Sequence, residues 1–68
     1  MWIEMDGVVI KLDTVTSFVK CEDERYDEML VVYTTAGGFE FYNDVEQRYN
    51  KLKYILSEGY YNYDLLKM

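Results

Sequence analysis

The sequence has no histidine, no proline and a single cysteine, Cys21. Without histidine the chain lacks the commonest general base, the usual catalytic triads and the most frequent transition-metal ligand. One cysteine can form neither an intramolecular disulfide nor a zinc site, and it suits a reducing, intracellular compartment. Since no proline, low-complexity run or internal repeat marks a linker, we expect one domain over residues 1–68.

Long apolar runs and positive charge are also scarce. No segment approaches the roughly 20 apolar residues that cross a bilayer, and the start MWIEMDG lacks the basic and apolar regions of a signal peptide. Seven basic residues face thirteen acidic ones, for a formal net charge of −6. Such a chain repels phosphate. We therefore expect a cytoplasmic protein that binds neither membranes nor nucleic acid.

Apolar and aromatic residues are plentiful and occur in short alternating runs. Half of the residues are hydrophobic and 18% are aromatic, which excludes a disordered tail. The runs are bounded by turn signals such as Asp6-Gly7, which predicts a type I′ hairpin, and Gly37-Gly38. The pattern predicts an antiparallel β-meander of four to five strands over residues 2–42.

The period changes at Asn43 and predicts one C-terminal amphipathic helix over about residues 44–57. Asn43 is suited to the N-cap, and Gly59 to the position after the last turn. An apolar stripe at helical spacing follows the N-cap: Val45, Tyr49, Leu52, Ile55 and Leu56. We therefore predict an α+β fold with the helix packed on one face of the sheet. The tail, residues 60–68, is either a further helical turn or an arm that packs on the rest.

A single helix covers one face of the predicted sheet, so the other face should be polar. The covered face is assigned Ile3, Val8, Ile10, Leu12, Val15, Val19, Phe39 and Phe41, together with Leu30 and Val32 or their neighbours in the strand. The opposite face receives Trp2, Val9, Phe18, Tyr33 and Tyr42. We expect this second set to form a contiguous apolar patch larger than the few hundred Å², roughly, that a soluble monomer tolerates. Two interpretations stay open. The tail folds back over this patch, or Trp2 lies at a sheet edge, so that no large patch is exposed. Alternatively the patch is a protein–protein surface, most simply in a two-fold homodimer.

The stretch CEDERYDE holds five carboxylates and one arginine. Its residues do not follow the order of an EF-hand loop, with its glycine and its final glutamate, and the carboxylates beside Cys21 suppress the thiolate of that residue. We therefore expect no metal site, no cofactor and no catalytic residue. Two interpretations stay open: a solvated hairpin connection, or an interaction epitope for a basic protein. The residues of this predicted loop are Glu22, Asp23, Glu24, Tyr26, Asp27 and Glu28.

These observations predict a non-enzymatic, acidic protein–protein interaction domain that self-associates through an apolar sheet face. Its size, charge and tyrosine content resemble those of phage and mobile-element inhibitors, including DNA mimics. The resemblance implies that the carboxylates imitate phosphates and occupy a basic channel. The alternative is a structural or assembly subunit whose acidic surface confers solubility. A mimic's complex should weaken as salt increases, whereas a sheet-face oligomer should persist.

Overall fold

The structure is a computed structural model that describes residues 1–58 and 64–68, but not the side chains of Asp23, Tyr26, Asp27 and Glu58. The elements in chain order are β1 (Trp2–Met5), β2 (Val8–Lys11), a 3-10 helix (Leu12–Thr14), β3 (Val15–Asp23), β4 (Tyr26–Thr34), β5 (Gly37–Phe41), α1 (Val45–Glu58) and β6 (Leu65–Lys67). One helix combined with mainly antiparallel strands is the predicted α+β class.

The strands form two sheets of three strands each, where the sequence predicted one meander of four to five strands. The first sheet has the order β2-β1-β6, with β1 antiparallel to β2 and parallel to β6. The second sheet has the order β3-β4-β5 and is antiparallel. The single meander was wrong because alternation shows which residues of a strand share a face, not which strand lies beside it. Here the 3-10 helix Leu12–Thr14 separates β2 from β3.

The helix is not the last element, because β6 follows it. Residues 64–68 form an arm along β1. In this arm the Trp2 N–H donates to the Asp64 carbonyl at 2.9 Å, and the Met68 N–H donates to the Glu4 carbonyl at 2.8 Å. The arm thereby satisfies backbone groups on the edge of β1 that the hairpin with β2 leaves open. Five residues of the predicted helix end and tail lie outside the described part of the chain: Gly59, Tyr60, Tyr61, Asn62 and Tyr63.

The turn predicted between the first two strands is confirmed. Asp6 and Gly7 have φ angles of 54° and 83°, and a type I′ turn requires positive φ at both central positions. Met5 and Val8 flank this two-residue turn and pair with each other. The turn therefore fixes the register of the whole hairpin.

The helix prediction is correct in extent to within one residue at each end, since α1 runs over Val45–Glu58. Its first backbone hydrogen bond joins the Arg48 N–H to the Asp44 carbonyl at 2.9 Å. Asp44 is therefore the N-cap residue, one position later than the predicted Asn43. The Asn43 side chain instead lies near the Asp6 carboxylate and helps to lower the pKa of Asp6.

One core cluster joins both sheets and the helix. Its buried members are Ile3, Met5, Ile10, Leu12, Leu30, Val32, Phe41, Val45, Leu52 and Ile55. Most of the residues assigned to the covered face are among them, and Val8, Val15 and Phe39 pack against the cluster while half-buried. The helical stripe is confirmed at Val45, Leu52 and Ile55. Val19 is the exception, because it is 38% exposed on the other side of the sheet.

A β-bulge near the start of β3 explains the exception. Val15 pairs with Thr34 and Ser17 pairs with Tyr33, so Thr16 is an extra residue on β3. An extra residue exchanges the two faces of the strand beyond it. The face assignment of β3 was therefore wrong after the bulge: Phe18 faces the helix, and Val19 faces outward.

Candidate protein interfaces

The second sheet has an outer face that points away from α1. Because side chains alternate along a strand, this face lies opposite the buried Leu30 and Val32 of β4. The register places its residues in three cross-strand rows. We call outer face the eight residues of this side whose side chains the structure describes: Ser17, Val19, Cys21, Met29, Val31, Tyr33, Gly38 and Glu40.

The outer face is apolar for so acidic a chain, since Glu40 is the single charged residue among its eight members. Val31 at its centre is only 7% exposed although it is not part of the core cluster. Tyr33 lies against the backbone of Gly38, where a Cβ atom would come within 3.3 Å of the Tyr33 Cδ1. The ring remains 44% exposed. Tyr33 is thus held flat on the sheet and still presents an aromatic surface.

A separate apolar cleft lies between the first sheet and the β4–β5 hairpin. It has a volume of about 290 Å³ and is lined on one side by Trp2 and Val9, and on the other by Thr34 and Phe39. Trp2 is 45% exposed and Val9 is 50% exposed. The structure therefore brings these two predicted interface residues together, but on a different sheet from Tyr33.

The other two predicted sheet-face residues have different surroundings. Phe18 packs edge-on against Tyr49 of α1, with 5.4 Å between ring centroids. Tyr42 follows β5, and its hydroxyl donates to the Glu40 carboxylate. The five predicted residues do not form one continuous face, because they belong to two sheets and Phe18 faces inward.

The predicted acidic loop is the end of a long hairpin. Both strands continue into it, so that Asp23 of β3 pairs with Tyr26 of β4, and only Glu24 and Arg25 form the turn. Glu22, Glu24 and Glu28 have exposed side chains. The side chains of the other predicted members, Asp23, Tyr26 and Asp27, lie outside the description. The carboxylates are thus carried by a paired ribbon instead of a loop.

Arg48 connects three parts of the fold. Its Nη1 and Nη2 donate to the two carboxylate oxygens of Asp6, both at 2.9 Å, and Nη2 also donates to the Met68 carbonyl at 3.2 Å. The side chain is 7% exposed, against 39% for Asp6. The hydrogen bonds from Arg48 lower the pKa of Asp6, and Asp6 in turn raises the pKa of Arg48. This pair fastens the helix to the first hairpin and to the arm.

A second ion pair joins the helix to β3. The Lys20 ammonium donates to the Glu46 carboxylate and lies 5.2 Å from the ring centroid of Tyr49. The hydrogen bond raises the pKa of Lys20 and lowers the pKa of Glu46. Since both side chains are partly exposed, the pair orients α1 on the sheet from the surface of the molecule.

The chain matches no protein-family profile, no curated protein and no solved structure. Among the side chains that the structure describes in residues 1–58 and 64–68, no group of three or more thiols or carboxylates is placed to hold a metal ion. Within the same residues, no helix has the length and apolar character needed to cross a membrane. The arguments for function therefore depend on the surfaces of the chain itself.

Sequence reasoning missed the middle of the outer face. Val19 was assigned inward, and Cys21 was interpreted only as a small strand residue. The bulge after Val15 leaves no clear signal in the sequence, because Thr16 and Ser17 suit either face. The signal that was present is the near absence of charge in Met29-Leu30-Val31-Val32-Tyr33, which indicates a strand with little water on either side.

Proposed function

We propose that this chain is a non-enzymatic protein–protein interaction domain that self-associates through the outer face of its second sheet. The observation that carries the proposal is the single carboxylate among the eight outer-face residues with described side chains, in a chain of which 29% is charged. A half-exposed antiparallel sheet is normally polar on its open side. An exposed Tyr33 held against Gly38 adds an aromatic contact that loses little entropy on binding.

The size of the outer face limits how strong the association is. Three strands about 4.8 Å apart and about five residues long, at about 3.3 Å per residue, cover roughly 240 Å². A stable interface buries about 800 Å² per partner. The outer face can therefore form the centre of an interface, but it is too small to hold a permanent dimer by itself. We expect a reversible dimer whose population depends on concentration.

Charge sets how the proposed dimer responds to salt. Each copy has a formal net charge of −6, so two copies repel each other at low ionic strength. Raising salt from 0.1 M to 1 M shortens the screening length from about 10 Å to about 3 Å, and a kosmotropic salt such as a sulfate also favours burial of apolar surface. The dimer should therefore become more stable as salt increases.

The exposed acidic end of the β3–β4 hairpin supports a second candidate function. Glu22, Glu24 and Glu28 are all exposed there, so this end could bind a basic protein and imitate the charge of nucleic acid. Two other carboxylates are already used within the fold, Asp6 by Arg48 and Glu46 by Lys20. A charge mimic would therefore depend mainly on the hairpin end. The alternative function, a structural or assembly subunit, would require only self-association through the outer face.

Sedimentation equilibrium over a range of concentrations, at 0.1 M and 1 M salt, tests the proposal. We expect the average mass to rise from 8.2 kDa towards twice that value as concentration increases, and to rise earlier at high salt. A monomer at millimolar concentration in both salts would refute self-association. Association that weakens at high salt would instead favour contacts made by the acidic hairpin end. The half-buried thiol of Cys21 lies on the outer face and fits our proposal that the domain works in the reducing cytoplasm.

A further inference from the structure

β2 has backbone groups that point away from its neighbour. On β1, the backbone of Trp2 and Glu4 faces β6, as the bonds to Asp64 and from Met68 show. Hydrogen bonding in an antiparallel pair alternates between residues, so the backbone groups of the other two residues of β1, Ile3 and Met5, face β2. Their partners Val8 and Ile10 use their backbone groups towards β1. It follows that the N–H and carbonyl of Val9, and the N–H of Lys11, point outward.

No described strand pairs with β2 on that outward side. The Lys11 carbonyl is used locally, since it accepts a hydrogen bond from the Thr14 hydroxyl at 2.6 Å. The free edge of β2 therefore offers two donors and one acceptor within three residues. An extended backbone can pair with such an edge as an additional strand.

The apolar cleft lies beside this edge. Val9, Ile10 and Lys11 all line it, together with the exposed ring of Trp2. Across the cleft stand residues of the β4–β5 hairpin, Thr34 and Phe39. A strand added to β2 would direct alternate side chains to the face that carries Trp2 and Val9, where the cleft can enclose an apolar one.

Charge at the cleft specifies more of the partner. Among the described residues that line it, Lys11 is the only charged one, although the chain as a whole has thirteen acidic residues and seven basic ones. Lys11 and Val9 are two residues apart and share a face. The residues of an added strand that lie opposite them are also two apart, and a carboxylate opposite Lys11 would be complementary to it.

We propose that β2 and the adjoining cleft bind an extended peptide segment of another protein by strand addition. The segment carries an apolar side chain opposite Val9 and an acidic one opposite Lys11. In antiparallel pairing the acidic residue comes first, with one residue between it and the apolar one; in parallel pairing the order is reversed. The site is independent of the outer face, so it would operate in a monomer or a dimer.

Selection from a display library of random ten-residue peptides tests this site, with the whole chain as bait. We expect enriched peptides to contain an acidic and an apolar residue separated by one position. Their binding should shift the emission of Trp2, the single tryptophan, and slow amide hydrogen exchange at Val9 and Lys11. Exchange at Val8 and Ile10, which are already paired, should change little.

Two substitutions separate backbone pairing from adventitious contact. Val9→Pro removes an outward N–H that β1 does not use, so an edge strand tolerates it, and it should weaken binding at least about tenfold. Val9→Thr keeps the amide and serves as the matched control. Lys11→Glu should select peptides with a basic residue in place of the acidic one, which keeps the test informative if the proline variant does not fold.

Three results would overturn the proposal. They are no enrichment of any peptide, equal binding of enriched peptides by wild type and Val9→Pro, or protection of amides in β3 and β4 instead of β2. None of these bears on self-association, because Val9 lies outside the outer face. Failure of the peptide site and failure of the dimer are therefore distinguishable.

Discussion

Val19→Asp is the sharpest test of the outer face. Val19 is 38% exposed, and burying a whole valine side chain contributes about 1.5–3 kcal/mol. The exposed part is therefore worth about 0.6–1.1 kcal/mol per copy, and about twice that in a two-fold dimer. An aspartate at the same place adds a carboxylate whose burial costs several kcal/mol, roughly, in each copy. The sum exceeds about 4 kcal/mol, so the dissociation constant should rise by about 1,000-fold.

Val9→Asp is the matched control for this substitution. It makes the same change of residue and charge on a strand position that is 50% exposed, but on the first sheet. Sedimentation equilibrium at 1 M salt should show Val9→Asp associating like the wild type while Val19→Asp stays monomeric. Both variants should give the same far-ultraviolet circular dichroism as the wild type. If Val19→Asp associates as strongly as Val9→Asp, the outer face is not the contact surface and the reasoning fails.

Three further predictions concern the fold. Asp6→Asn should be less stable than the wild type in urea unfolding at neutral pH. The difference should shrink as pH falls below 3.8, the ordinary pKa of an aspartate, because the lowered pKa of Asp6 contributes stability only while the carboxylate is charged. A stability difference that does not change with pH would contradict this. Leu52→Ala, at a fully buried position, should cost about 2–5 kcal/mol of unfolding free energy, and a cost below about 1 kcal/mol would mean that the core is packed differently. Phe18→Ala should lower stability, because it removes the contact with Tyr49, and should leave the dissociation constant of the dimer unchanged; the reverse pattern would place Phe18 on the outer face.

Local rules predicted the parts of the fold that depend on neighbouring residues. Asp6-Gly7 predicted its turn because few sequences tolerate positive φ at two successive positions. The helix followed from the spacing of Val45, Leu52 and Ile55. Both signals are carried by residues that are close together in the sequence, and such residues are also close together in space.

The pairing of strands that are far apart in the sequence could not be predicted, for a physical reason. Leu65–Lys67 is too short for a recognisable strand pattern, and it forms a strand only because β1 presents a matching edge. The bulge at Thr16 likewise depends on β4 and changes which face carries Val19. The wrong strand pairing also made part of the predicted surface wrong. Trp2 and Val9 were expected beside Tyr33, but they lie on a different sheet.

One clue to the packing was available but was interpreted differently. Arg48 lies three residues after Val45 and four before Leu52, in the middle of the apolar stripe. An arginine at such a position requires a buried partner. The predicted stripe counted only the apolar residues on either side of Arg48, so this buried partner was not predicted.

The link between Arg48 and Asp6 restricts how this fold can change over evolution. Because the guanidinium is almost entirely enclosed, a lineage that loses the carboxylate first must survive with an enclosed cation lacking its counter-ion. Loss of the arginine first avoids that intermediate, because the carboxylate that remains is partly exposed. Descendants of this chain that retain Arg48 without Asp6 should therefore be rare.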